Sequence, residues 1–346
     1  MFVDRKGIIS YTPFISKKEE TDMISVGILG AGVIAATMAK TINMMKDPEI
    51  RLYAVASRDQ DRANAFARTW GIPKAFGSYE EMLADPELTL VYVATPHSHH
   101  RDHALLCAEY GKHVLCEKAF CANERQAAEV LEAFENKGLL AAEAIWTRYQ
   151  PMRQMLWDVV HSGIVGEPRM LRASLNYPME TKERILRPDL AGGALLDVGV
   201  YPLNLADMLF GPAESWHAFG ALSPTGVDMS DSMTLEWADG KLACLSASAA
   251  CLSDEDAFID CSDGYIQVRN VNNPQWYKVF SREKGLLVEQ YCPAQLTGYE
   301  YEVLECAETI RQGKTECPSM PHRDILRMMR QMDDMRAQMG VVYPFD

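Results

Sequence analysis

Between Ile24 and Trp146 the sequence alternates short, continuously apolar runs with stretches of helical period. The runs are Ile24–Leu29, Leu52–Ala56, Leu90–Ala94, Val114–Cys116 and Leu139–Ile145. Between them lie ATMAKTINMM, RANAFART, YEEMLA and ERQAAEVLEAFENKG. Repeated strand–helix alternation implies βαβ units, hence a parallel sheet with helices on both faces. Strands buried on both faces carry no polar alternation, and these carry none.

The pattern changes after Tyr149. One helical stretch, MRQMLWDVVHSG, leads into runs of period two with turn signals: RMLRASLNY, DSMTLEWADG, KLACLSASAAC, YIQVRN and WYKVFSRE. Such alternation predicts an antiparallel sheet. Helical patterns return in GYEYEVLECAETIRQG and RDILRMMRQMDDMRAQMG. The expected fold class is α/β: a doubly wound parallel sheet, then an α+β domain with an open, mostly antiparallel sheet. A chain of 346 residues accommodates both. The expected division is an N-terminal arm at 1–22, a nucleotide-binding domain at 23–148 and a substrate-binding and oligomerisation domain at 149–346.

Within the first half, GILGAGVIA places Gly30-x-Gly32-x-x-Ala35 between a strand and a helix. Gly30 permits a tight turn, Gly32 lets the backbone approach a pyrophosphate, and Ala35 is small enough for close helix–strand packing. Val33 and Ile34 open the helix, whose free N–H groups face the phosphates. The alternative is a tight turn with no ligand. At the end of the second strand an NAD-selective site carries an acid for the ribose hydroxyls. Here Ser57 and Arg58 stand there, and Arg58 suits a 2′-phosphate. Asp59 follows one step later. NADP is favoured, with NAD left open.

The loop ATPHSHHRDH follows the strand Leu90–Ala94 and holds His97, His99, His100 and His103. No thiolate and no H-E-x-x-H completes a zinc set, so no metal is expected. In open α/β sheets ligands bind beyond the carboxyl ends of the strands. Thr95, Pro96, His97 and His100 are therefore expected to line that crevice. Glu117 and Lys118 end the next strand on the same edge. A charged pair there is costly unless it is used. Lys118 suits a ribose hydroxyl and a substrate oxygen; Glu117 suits the ribose and would hold the lysine.

GAGVIA, TPHSHH and CEKAF, in this order and at these spacings, resemble the glucose–fructose oxidoreductase / inositol dehydrogenase family of NAD(P)-dependent enzymes. EAIWTRYQP and GGALLDVGVYPL look like its dimeric dihydrodiol dehydrogenase / D-xylose dehydrogenase branch. The resemblance implies a Rossmann domain followed by an α/β domain with a large open sheet. It implies that Lys118 is the active-site lysine, that His100 is the family's histidine after T-P, and that Asp197 and Tyr201 fill the second-domain motif D-x-G-x-H/Y. One departure is Ala119, where the family usually has proline. Asp197 and Tyr201 are spaced i, i+4 and share a face if GALLDVGVYPLNLADML is helical, although Pro202 lies inside it. Trp146 and Arg148 begin the crossover between domains and are expected either to wall the cofactor site or to pack in the core.

The resulting expectation is an NADP-dependent hydride transfer at a CH–OH or C=O carbon of a small polyhydroxylated substrate. Tyr201 is the acid/base, its pKa lowered by the Lys118 ammonium, and Asp197 binds a substrate hydroxyl. The alternative is a non-catalytic cofactor-binding regulator on the same fold. A net charge of −14 disfavours nucleic acid and anionic membrane. Nine cysteines without a C-x-x-C pair suggest a reducing compartment, hence cytoplasm. The small, apolar character of KLACLSASAAC on both faces predicts a covered sheet, and so a homodimer or dimer of dimers.

Overall fold

The structure, a computed structural model, describes residues 23–346. The arm expected at 1–22 lies outside the described residues.

The first sheet is built from β1 (Ile24–Leu29), β2 (Ile50–Ala56), β3 (Lys74–Phe76), β4 (Leu90–Val93), β5 (His113–Glu117) and β6 (Ala141–Ala144). Helices α1 (Val33–Met45), α2 (Gln60–Trp70), α3 (Tyr79–Leu83), α4 (His100–Glu109) and α5 (Glu124–Lys137) connect them. The strand order is β3-β2-β1-β4-β5-β6, all parallel. This is the doubly wound order, in which the crevice opens beside β1 and β4 where the order reverses. Every residue of β1 and β4 is buried, as their apolar runs require. Local signals set the helix ends. Asp59 Oδ1 accepts from the N–H groups of Asp61 and Arg62 at the start of α2, and Asn123 caps α5 in the same way. Gly71 and Gly138 close these two helices in the left-handed conformation.

One strand and several strand ends differ from the sequence reading. The short edge strand β3 was not expected, because three half-buried residues carry no period. Strand β5 runs on through Glu117, which pairs with Ala144 of β6, so the acid ends the strand and the lysine begins the loop.

After α6 (Pro151–His161) come β7 (Pro168–Asn176), α7 (Val200–Phe210) and the strands β8 (Ser215–Leu222), β9 (Asp228–Glu236), β10 (Leu242–Ser248), β11 (Ala257–Cys261), β12 (Gly264–Arg269), β13 (Trp276–Ser281) and β14 (Gly285–Tyr291). Helices α8 (Glu300–Arg311) and α9 (His322–Met339) end the chain. The sheet order is β14-β13-β12-β11-β7-β10-β9-β8; β7 and β10 are parallel, and the other pairs are antiparallel. Helices α7 and α9 pack on one face. In β10 this face buries Ala243, Leu245 and Ala247, while Leu242 and Cys244 stay exposed on the other. The strand reads as apolar on both faces, yet within this chain only one is covered.

The helix bearing Asp197 and Tyr201 forms, with a modification. It begins as a wide π turn over Leu195–Gly199 and passes into α7 at Val200. Pro202 sits in the first turn of α7 and offers no N–H. A widened turn before it fits a helix that runs through a proline. Leu195, Leu196, Leu203 and Leu205 are all buried around it.

Candidate active site

The carboxyl ends of β1, β2, β4 and β5 open onto a crevice of about 870 Å³ that extends to α7 and the start of α8. At one end lies the glycine loop. Gly30 has φ +107°, and a Cβ there would stand 2.8 Å from the Ala94 carbonyl oxygen. Gly32 has open space where its Cβ would be, and it caps α1 with no side-chain partner. No acid occupies the first turn of α1, and Val33 is 89% exposed. The N–H groups at this terminus thus face an open, acid-free cradle, which fits a diphosphate. Val33, Ile34 and Thr37 line it.

Beyond β2, Ser57 and Arg58 line the crevice, and Arg62 joins them. Arg62 donates to the Ala31 carbonyl through Nε and Nη2, at 3.2 and 2.9 Å, and so braces the glycine loop. Asp59 also borders the crevice, but one of its oxygens caps α2.

The histidines divide. His97 lines the crevice with its ring between the carbonyl oxygens of Ala191, 3.0 Å from Nδ1, and Lys118, 3.1 Å from Nε2. His100 is fully buried behind it, between the carbonyls of Thr95 and Ala119 at 2.8 and 2.9 Å, and does not reach the crevice. Its role is to tie the loop after β4 to the loop after β5. Thr95 and Pro96 line the crevice, and the Thr95 hydroxyl meets His103 Nδ1 at 3.0 Å. Burial lowers all three rings, His97 to about 3 and His100 and His103 to about 4. Among the described residues no three His, Cys, Asp or Glu side chains converge as a metal set.

Lys118 projects into the middle of the crevice. Its ammonium donates to the Asp197 backbone carbonyl, lies 3.4 Å from Asp197 Oδ1, and stands 5.1 Å from the centre of the Tyr201 ring. The residue that holds the lysine is therefore Asp197. Glu117 instead accepts the Tyr92 hydroxyl, and its carboxyl is raised by burial. The Lys118–Ala119 peptide bond is cis. Asp197 also pairs with Arg184 at 3.0 Å. Burial pushes its carboxyl up, but Lys118 and Arg184 outweigh burial and hold it below the usual range.

Tyr201 corrects the sequence reading in one respect. Its hydroxyl is raised well above the ordinary tyrosine value, first by burial and then by Tyr299, Glu117 and Asp197. Burial dominates, although the Lys118 ammonium faces the ring at 5.1 Å from its centre. Trp146 and Arg148 take the core alternative and do not line the crevice. Trp146 stacks on Tyr299 at 4.2 Å, one layer behind the crevice wall. Arg148 is 2% exposed and spends its guanidinium on Asn204, Asp207 and Asp324. It joins α7 and α9.

The far wall was not legible from motifs. Tyr177, Asn272 and Tyr299 come from the ends of the second sheet and the start of α8, and Lys182 and Arg184 from the loop after β7.

Residues 24–144 match the oxidoreductase family with an NAD-binding Rossmann fold, and residues 153–267 match the GFO/IDH/MocA C-terminal domain. The trans-1,2-dihydrobenzene-1,2-diol dehydrogenase of Mus musculus is 31% identical over 326 residues, covering 92% of this chain and 98% of its own. That of Xenopus laevis is 32% identical over 325 residues, with the same coverage. Among solved structures, a 3-ketoreductase from Actinomadura kijaniata in complex with NADP and TDP-benzene superposes with a TM-score of 0.83 at 24% identity, over 92% of this chain and 98% of that one. A levoglucosan dehydrogenase in complex with NADH and levoglucosan gives 0.82 at 18% identity, with the same coverage. At these identities the two structures speak to the fold alone. On the sequence matches, this chain belongs to the GFO/IDH/MocA family of NAD(P)-dependent oxidoreductases.

Proposed function

We propose that the protein transfers a hydride between NADP(H) and a CH–OH or C=O carbon of a small polyhydroxylated molecule, a diol, polyol or sugar. The observation that carries this reading is Lys118, held by Asp197 beside the Tyr201 ring, in the same crevice as the open cradle at α1. The nicotinamide, when bound, supplies or accepts the hydride. Tyr201 then gives its phenolic proton to the oxygen of a carbonyl being reduced, or takes one from an alcohol being oxidised. The raised phenol suits donation at neutral pH. In the oxidation direction, Lys118 stabilises the phenolate through its positive charge. Asp197, already paired to two cations, fixes Lys118, and Tyr177 and Asn272 offer further polar contacts to substrate hydroxyls.

NADP is favoured because Arg58 and Arg62 line the crevice beyond β2 and suit a 2′-phosphate, while Asp59 spends one of its oxygens on its helix cap. The dihydrodiol dehydrogenases among the relatives direct attention to 1,2-diols. Nine unpaired cysteines, five of them buried, fit a cytoplasmic location. Among the described residues no helix is long and apolar enough to cross a membrane.

A homodimer follows from the uncovered face of the second sheet. Leu242, Met170, Asp260, Tyr265, Phe280 and Leu286 are successive neighbours across six strands. Tyr265 and Phe280 stack at 4.8 Å, and Leu242, Tyr265 and Leu286 are exposed. Five apolar side chains in that row, broken by Asp260, suit a second copy of the chain.

Turnover of a panel of 1,2-diols, pentoses and hexoses with NADP and NAD tests the function. NADP-linked oxidation of at least one class is expected. Cofactor binding with no turnover on the whole panel would overturn the reading.

A further inference from the structure

Beneath the π turn that carries Asp197 lie two acids with no cation beside them among the described residues. Asp228 and Asp231, on β9, are 0% and 4% exposed. The Leu195 N–H, at the start of the turn, donates to Asp228 Oδ2 at 2.6 Å. Gly193, at φ +115°, lies so near that a Cβ there would stand 2.2 Å from Asp228 Oδ1. With both carboxyls ionised, Asp228 Oδ1 and both Asp231 oxygens lack a donor. Two like charges would also share one site cut off from water.

The neighbouring described elements offer no counter-charge. On α9, Arg336 pairs with Asp333 and Asp346. Beyond it, the Tyr343 hydroxyl donates to the Gly192 carbonyl. A single proton removes both difficulties: it makes Asp231 a donor to Asp228 and leaves one negative charge facing the Leu195 N–H.

We propose that Asp228 and Asp231 share one proton and act as positioning residues that seat the segment bearing Asp197 and Tyr201. Burial and then the Asp228 charge push Asp231 up to about 10, in keeping with a neutral acid. Asp228 carries the negative end, fixed by the backbone of the turn. The kinetic part of this inference rests on the proposed role of Tyr201; the pairing itself does not.

Asp231→Asn and Asp231→Leu separate the possibilities. The amide keeps a donor to Asp228, so turnover within about threefold of the parent is expected. Leucine leaves Asp228 unpaired, and a fall in kcat of about tenfold or more is expected, with the KM for NADPH unchanged. The thermal midpoint supplies a readout that needs no substrate. An acid whose pKa rises on folding binds a proton as the chain folds. Its contribution therefore falls as pH rises from about 4 toward about 10, and is lowest above that. The amide of the Asp231→Asn variant cannot titrate, so the Tm of that variant minus that of the parent should grow steadily from pH 5 to pH 9. A constant difference would mean that Asp231 is ionised in the native protein and would overturn the proposal. So would failure of Asp231→Asn to fold, full kcat in Asp231→Leu, or a stoichiometric cation in the purified parent.

Discussion

Lys118 shows how one ammonium organises a site assembled from distant parts of the chain. Its own loop follows β5, yet its partners Asp197 and Tyr201 sit about eighty residues on in the second half. The three were legible in the sequence as motif residues, but their pairing was not. A charged side chain beside another in sequence, such as Glu117, invites the inference of a local ion pair. The lysine leaves the strand for the loop after β5, and the structure gives Glu117 to Tyr92 instead. Arg184 and Tyr299 left no signal because a loop charge and an isolated tyrosine resemble any others. Arg58 is a residue whose function is open to direct test. Arg58→Ala is expected to weaken NADP binding by about 1–3 kcal/mol, as for a charge-assisted hydrogen bond, with little change for NAD. Fluorescence titration with both cofactors measures it, and equal losses would remove Arg58 from the 2′-phosphate. The buried histidines predict an acid effect on stability. His97 and His100 have pKa values of about 3 and 4 in the fold, against about 6.5 when unfolded. The unfolded chain takes up protons that the native one refuses, so the Tm should fall as pH drops from about 6.5 toward 4. Calorimetry across that range checks it, and a smaller slope is expected for His97→Asn.

At the scale of elements, long buried strands and their glycine loop were the most legible parts. β1, β2, β4 and β5 fell within a residue or two of their apolar runs, because burial on both faces leaves no room for polar residues. β3 was lost because an edge strand of three half-buried residues has neither length nor period. The helix through Pro202 was read correctly as a whole, but not its π turn, since nothing in the spacing separates a five-residue turn from an ordinary one. Spacing also left Arg148 open between the cofactor site and the core. It lies near the crossover in sequence, yet its planar guanidinium serves α7 and α9 from inside the core. Gly30 offers the element-scale prediction. Alanine there would need φ +107° and would press its Cβ against the Ala94 carbonyl at 2.8 Å. Gly30→Ala is expected to cost about 1–3 kcal/mol of stability and to weaken both nicotinamide cofactors together. Denaturant unfolding and cofactor titration measure the two effects. An unchanged affinity would show that the loop does not hold the cofactor.

For the whole molecule, the second sheet poses the larger physical question. Eight strands present one face to α7 and α9, and leave Leu242, Tyr265 and Leu286 on the other. The period-two runs predicted the sheet, and the apolar character of β10 on both faces predicted that the second face is covered by another copy rather than by this chain. A homodimer through this face is expected from light scattering at micromolar concentration, and Leu242→Glu with Tyr265→Glu should give monomers. A monomeric parent would refute the arrangement. The central claim, that Lys118 and Tyr201 perform the proton chemistry of a bound nicotinamide enzyme, is tested most directly by one comparison. NADPH affinity and turnover are measured together for the parent, Tyr201→Phe and Lys118→Met on the same diol or sugar substrate. Both variants are expected to bind NADPH within about threefold of the parent while kcat falls by about 10²–10⁴. Full turnover in both variants would contradict the account.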